Sequence, residues 1–159
     1  MPNRARTSDH MFVLKTLIQK YNSSNSKLYT CFIDFSKAFD TVLHSALLYR
    51  LSQIDIRGPF YYVIKSMYTS NNLHIRIGNK LTKSFIPELG VRQGDNLSPN
   101  LFKILINELP DMFNSEDDQV YLNNEPLSCV LYADDLVLLS SSQRGPQNCL
   151  NKLATFCDK

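Results

Sequence analysis

Three aspartates hold most of the chemistry this sequence can perform. Asp34 closes the apolar run LYTCFID (28–34), and Asp134-Asp135 lies between the apolar arms of CVLYADDLVLL (129–139). Adjacent carboxylates in apolar surroundings repel each other and lose hydration, so one holds a proton or a cation neutralises them. Mg2+ suits a three-carboxylate cluster, because it takes oxygen ligands and leaves room for water and substrate phosphates. Two such ions about 4 Å apart can stabilise both the entering and the leaving oxygen of a phosphoryl transfer. Asp34 and Asp134 stand 100 positions apart. They meet only if the 28–34 strand pairs with the 129–133 arm. The plainer reading of Asp134-Asp135 is a polar hairpin turn, where aspartate is common.

The elements that must position these acids follow from periodicity. Leu14, Leu17, Ile18 and Tyr21 recur at helical spacing, which predicts a helix over 9–21, followed by a loop over Asn22–Lys27. Residues 28–34 read as a strand. Leu47, Leu48, Leu51 and Ile54 mark a second helix stopped near Gly58-Pro59. Pro59 can open a third, with Phe60, Val63, Ile64 and Met67 on one face. Leu73, Ile75 and Ile77 alternate, and Gly78-Asn79 turns the chain into a returning strand near 80–86. Ser98-Pro99 reads as an N-cap with proline at the first helical position. The helix it opens buries Leu101, Phe102, Leu105, Ile106 and Leu109, and Pro110 should kink or end it. CVLYADDLVLL reads as a hairpin, and Leu150, Leu153, Ala154 and Cys157 share one face of a last helix. That helix shows no stop signal, which suggests a sequence cut from something longer. The strands do not repeat as βαβ units. The fold class is therefore α+β: a small, largely antiparallel sheet with helices packed on one face.

Composition bounds the function classes. The chain has 159 residues, 43% of them hydrophobic and 20% charged, enough apolar material for a core and too much for wholesale disorder. No run of eighteen apolar residues exists to form a transmembrane helix, and MPNRARTSDH has no apolar stretch of a signal peptide. Cys31, Cys129, Cys149 and Cys157 lack CxxC spacing and read as reduced thiols of an intracellular protein. The net charge of +2 conceals an asymmetry: residues 1–100 carry 13 Lys+Arg against 6 Asp+Glu, and residues 101–159 carry 4 against 9. A positive surface facing a polyanion beside an acidic, cation-recruiting site would have this pattern, and so would a chance split.

Three blocks in order resemble those of reverse transcriptases. Tyr132-Ala133-Asp134-Asp135 resembles the YxDD signature, and Phe32–Asp40 (FIDFSKAFD) resembles the first aspartate motif. Gly90–Pro99 (GVRQGDNLSP) resembles the central G-x-x-Q-G-x-x-x-S-P motif. The wording is most similar to reverse transcriptases of non-long-terminal-repeat (LINE-type) retrotransposons, and Arg6–Tyr21 resembles a segment upstream of the first motif in that lineage. The resemblance spans essentially the whole chain. It implies a polymerase palm-like sheet with part of the fingers, all of 1–159 being one partial reverse transcriptase domain. It also implies that upstream fingers, the later palm motif, thumb and endonuclease belong to a parent polyprotein.

The resemblance assigns roles residue by residue. Asp34, Asp134 and Asp135 would be the catalytic metal ligands, holding two Mg2+ ions with Mn2+ as a substitute. Phe39 would lie under the incoming sugar and reject a 2′-hydroxyl; a core aromatic is its alternative. Phe35 and Ala38 would offer backbone groups to the nucleotide or metal. Gln93 and Gly94 would touch nucleotide and template, and glycine allows the close backbone approach this needs. Arg92 would contact a phosphate or stay solvated, and Tyr132 would pack near the primer end or in the sheet. The partners implied are an RNA template, a DNA primer and dNTPs, with no membrane. The family's use of genomic DNA implies nuclear access without fixing nucleus or cytoplasm. Asp40 matches no metal ligand and is expected to cap or salt-bridge the following helix. Glu116-Asp117-Asp118 is expected to be a solvated turn, and His10, His44 and His74 have no metal spacing. Two other classes use the same residues: an inert nucleic-acid-binding remnant, and a metal-dependent nuclease, which would not require the Gln93-Gly94 loop or Phe39.

Overall fold

The computed structural model of the chain describes residues 7–113 and 118–158. In chain order the elements are α1 (Thr7–Ser23), β1 (Tyr29–Asp34), α2 (His44–Gln53), α3 (Gly58–Thr69), β2 (Arg76–Ile77) and β3 (Lys80–Leu81). There follow α4 (Ser98–Ile106), α5 (Leu109–Phe113), β4 (Val120–Leu122), β5 (Glu125–Leu127), β6 (Cys129–Tyr132), β7 (Asp135–Ser140) and α6 (Gly145–Cys157). They fall into two compact units, one holding the chain up to Phe35 and from Glu108 onward, the other Ser36–Asn107.

The first unit is built on a three-stranded antiparallel sheet of order β1-β7-β6. The expected pairing of the first strand with the 129–133 arm is not made: β1 pairs with β7, and β6 takes the edge. The physical reason lies in β7, where Leu136, Leu138 and Leu139 are all buried and Val137 is half-buried. A strand apolar on both faces belongs in the middle of a sheet. In β1, by contrast, half-buried and exposed residues alternate.

Each sheet face has a helix. On the face of Val130, Val137 and Leu139, α1 inserts Leu17 at the centre of a cluster with Val13, Leu14, Tyr21 and Val120. Their i, i+3, i+4 spacing is what one side of a helix presents to a sheet. The opposite face carries Cys31, Cys129, Leu136 and Leu138, and α6 packs there against β7 and β1. A helix thus covers part of the aspartate-bearing face as well as the back of the sheet. Glu116 and Asp117 lie outside the described residues. Asp118 is half-buried, and its carbonyl accepts the Ser141 N–H at 3.1 Å.

In the second unit α2 packs on α3 and α4, burying Leu47, Leu51, Ile64, Tyr68, Leu101 and Phe102. The buried stripe of α3 is Ile64 and Tyr68, while Phe60 and Val63 are exposed. The inward face is thus rotated by about one residue, roughly 100°, from the expected one. Leu73 bridges Phe85, and β2 and β3 meet around Gly78-Asn79, a shorter ladder than a strand over 80–86. The Ser98 cap is not formed. Leu97 occupies the N-cap position, Asp95 accepts the Leu97 N–H at 3.0 Å, and the buried Ser98 hydroxyl has no partner. Pro110 falls after α4 has ended and helps to open α5.

All four cysteines are free. Burial pushes the Cys129 thiol up to about 11 from 9.0, and burial raises Cys149 as well. An unfolded chain loses the Cys129 proton first as pH rises. Stability from this group is therefore present below pH 9 and lost as pH climbs toward 11. Replacing Cys129 with Ala should flatten the fall of the unfolding midpoint over that window; an equally steep fall would remove Cys129 as a cause. Leu17→Ala, at a fully buried position, should cost about 2–5 kcal/mol in urea unfolding, with α1 losing its anchor on the sheet.

Candidate active site

The sheet register brings two aspartates face to face. Asp34 is the Cα partner of Asp135, and Tyr132 is the partner of Asp135 on the other side. Directly opposed residues of an antiparallel pair share a face, with Cα atoms roughly 4.5–5.5 Å apart. Asp134 occupies the two-residue turn with Ala133, whose φ of 52° lies in the left-handed region. Among the described residues, no three His, Cys, Asp or Glu side chains converge as a ready metal cluster.

These acids are not buried, contrary to the expectation from their apolar flanks. Asp34 and Asp135 are exposed and Asp134 is half-buried, because the apolar flanks turn inward while the hairpin tip projects at the end of the sheet. None of the three takes a hydrogen bond or a basic partner from a side chain among the described residues. Like charges directly opposed across a strand pair, with no basic side chain among the described residues paired to them, are a local cost to the fold. Their donor set is all oxygen, with neither thiol nor imidazole. Mg2+ is commonly held by one or two carboxylates with water and phosphate completing the octahedron. The Asp34–Asp135 pair fits that requirement without a third converging acid.

An apolar groove of about 320 Å³ adjoins the pair, walled by Met11, Leu14, Phe32 and Val137, with Asp34 and Asp135 among its lining. Phe32 is 69% exposed there, unusual for a strand phenylalanine. His10 packs edge-on against Tyr132, ring centroids 5.4 Å apart, which gives the half-open tyrosine a fixed neighbour. That contact could not be read from the sequence, since 122 positions separate the two residues.

The remaining predicted residues, apart from Phe35, lie in the second unit. Phe35 is half-buried directly after β1. Ala38 is buried, and Phe39 is half-buried with its ring 4.9 Å from that of Phe102. Arg92 donates to the Met67 carbonyl at 3.0 Å, so its guanidinium is anchored at the end of α3. Gln93 and Gly94 are exposed; Gly94 has φ +84° and open space around it. Asp40 neither caps nor salt-bridges α2. Its carboxylate accepts the Gln93 side-chain amide at 2.8 Å, a partner 53 residues away that no local pattern reveals.

A three-stranded antiparallel sheet whose hairpin tip opposes carboxylates, set among helices, defines an α+β fold of the polymerase-palm type. The family model for reverse transcriptase (RNA-dependent DNA polymerase) matches residues 2–159, and the chain belongs to that family. The Pol polyprotein of the type-1 retrotransposable element R2 of Popillia japonica is 34% identical over 126 residues, covering 79% of this chain and 20% of the relative. The probable RNA-directed DNA polymerase from transposon BS of Drosophila melanogaster is 32% identical over 136 residues, covering 80% and 14%. The fold is similar to apo telomerase of Candida tropicalis, with a TM-score of 0.66 at 16% identity, over 97% of this chain and 32% of that one. The chain thus spans a fifth or less of these two curated relatives. Their mobile-element origin bears out the resemblance to reverse transcriptases of non-LTR retrotransposons.

The opposed charges give a test that needs no polymerisation. Asp34→Asn should raise the unfolding midpoint in metal-free buffer, a gain of up to about 1 kcal/mol. If these carboxylates hold Mg2+, the substitution should also abolish most of the stabilisation the ion gives the unsubstituted chain. Equal Mg2+ stabilisation of both proteins would exclude Asp34 as a ligand.

Proposed function

We propose that this chain is the palm and part of the fingers of an RNA-directed DNA polymerase. In this reading it extends a DNA primer on an RNA template during retrotransposition. The observation that carries it is the in-register opposition of Asp34 and Asp135 beside the Tyr132–Asp135 hairpin. Both units, residues 1–159, form one partial domain, and the polyprotein relatives support flanking fingers, thumb and endonuclease segments in a parent protein. The family's use of genomic DNA implies nuclear access for the parent protein, without fixing nucleus or cytoplasm.

Asp34, Asp134 and Asp135 would hold the cations. Two divalent ions held there, Mg2+ or Mn2+ in its place, would supply positive charge to the primer 3′-oxygen and the departing pyrophosphate. The carboxylates contribute by position and charge, since in phosphoryl transfer a protein supplies little else. Tyr132, held by His10, supports the primer end. The Phe39 ring, backed by Phe102, excludes a 2′-hydroxyl. Phe35 and Ala38 present backbone groups to the nucleotide. Gly94, with φ +84° and open space where a Cβ would stand, lets the backbone approach the nucleotide and template beside Gln93. Arg92 keeps its remaining N–H groups for a phosphate.

Primer extension on an RNA template, with this chain and with flanking segments restored, tests the reading. Asp135→Ala and Asp134→Ala should each reduce extension by at least about 100-fold. Cleavage of RNA or DNA without extension would support a nuclease instead. Phe39→Val should admit ribonucleotides, measured as the ratio of rNTP to dNTP incorporation; an unchanged ratio removes Phe39 from the sugar site.

A further inference from the structure

The second unit fixes the direction of one exposed polar group. Ser36–Asp40 forms a turn in which Lys37 has φ 53° and the Asp40 N–H reaches the Lys37 carbonyl at 2.8 Å. The 90–91 segment is strapped to this turn and to the backbone just beyond it. Val91 N–H donates to the Phe39 carbonyl and Gly90 N–H to the Val42 carbonyl, each at 2.8 Å. The buried His44 ring donates through Nε2 to the Gly90 carbonyl at 2.7 Å. Gly90 has φ +88°, and a Cβ there would stand 3.1 Å from the Asp40 carbonyl oxygen, so only glycine lets the two segments lie this close. Two residues past Val91, the Gln93 amide nitrogen donates to Asp40 Oδ1 at 2.8 Å.

A carboxylate accepts and does not donate. The NH2 end of Gln93 must therefore face Asp40, whichever way the oxygen and nitrogen of an amide would otherwise be assigned. The Gln93 Oε1 and one N–H are left facing away. We infer that Asp40 is a positioning residue: it acts through Gln93, turning the amide so that Oε1 is presented as an acceptor to the nucleotide. The complementary ligand group is a donor, a base N–H or a sugar hydroxyl. This rests on the reading of Gln93 as a nucleotide-contacting residue. It gives Asp40 a role distinct from metal binding and from helix capping.

Two readouts test it. In NMR of the intact chain, Asp40→Ala should move the Gln93 side-chain amide resonances while the unfolding midpoint stays close to the parent's. An unmoved Gln93 amide overturns the assignment. In primer extension, Asp40→Ala and Gln93→Ala should each raise the dNTP KM about tenfold with kcat within about twofold, the loss of one charge-assisted contact. The double variant should be no worse than Gln93→Ala, because Asp40 acts through that side chain. Additive losses overturn the proposal. Asp40→Asn separates orientation from tethering, since asparagine can hold the amide either way round. It should raise the KM part of the way toward that of Asp40→Ala, and parent-like kinetics would show that a tether alone suffices and overturn the orienting role. Absent extension in the unsubstituted protein counts against the polymerase reading, whereas the Asp40–Gln93 contact is judged by the amide resonances.

Discussion

Asp34 faces Asp135 because β1 runs antiparallel to β7 in one register, and apolar residues further along the ladder hold that register. Ile33 opposes Leu136 and Cys31 opposes Leu138 on the buried back face, while Phe32 opposes Val137 on the face of the acids. A slip of one residue would send every side chain of a strand to the opposite face, carrying the carboxylate among buried leucines. Burial of Leu136 and Leu138, with α6 packed on their side of the sheet, therefore sets the spacing of charges that gain nothing from each other. Hydrophobic packing offsets an electrostatic cost, and the cost is concentrated at the opposed carboxylates.

The same division between rigid support and exposed chemistry recurs elsewhere. Ala133 holds a left-handed φ at the hairpin tip without glycine's freedom, a strain the ladders on either side must sustain. In the second unit, Gly90 permits a close backbone approach to Asp40, and the loop beyond it leaves Gln93 and Gly94 in the open. Arg92 is tied to Met67. Each exposed group is thus placed by a buried or hydrogen-bonded neighbour, as preorganised electrostatics requires.

Much of this was legible in the residues. The i, i+3, i+4 patterns located α1, α2, α4 and α6, and the CVLYADDLVLL arms located the hairpin. What failed was partner choice and solvent contact. Apolar flanks around Asp134-Asp135 suggested buried acids, yet a hairpin tip can project while its arms are covered. The 129–133 arm was the expected partner of β1, and the apolar residues on both faces of β7 put β7 there instead. Local pattern also assigned Ser98 to a helix cap and Asp40 to a cap or salt bridge. In the fold Asp40 holds Gln93, and Asp95 takes the Leu97 N–H. A contact across 53 residues has no periodic signature, so sequence patterns cannot supply it.

The central claim is that the opposed aspartates form the cation site of this chain. Titrating the 15N-labelled protein with Mn2+ tests this directly, because the ion broadens amide resonances steeply with distance. The account predicts that Asp34, Phe35 and residues 133–136 broaden first, and that excess Mg2+ reverses the effect. Early broadening centred instead on another acidic stretch, such as Glu125, with Asp34 and Asp135 untouched, would contradict it.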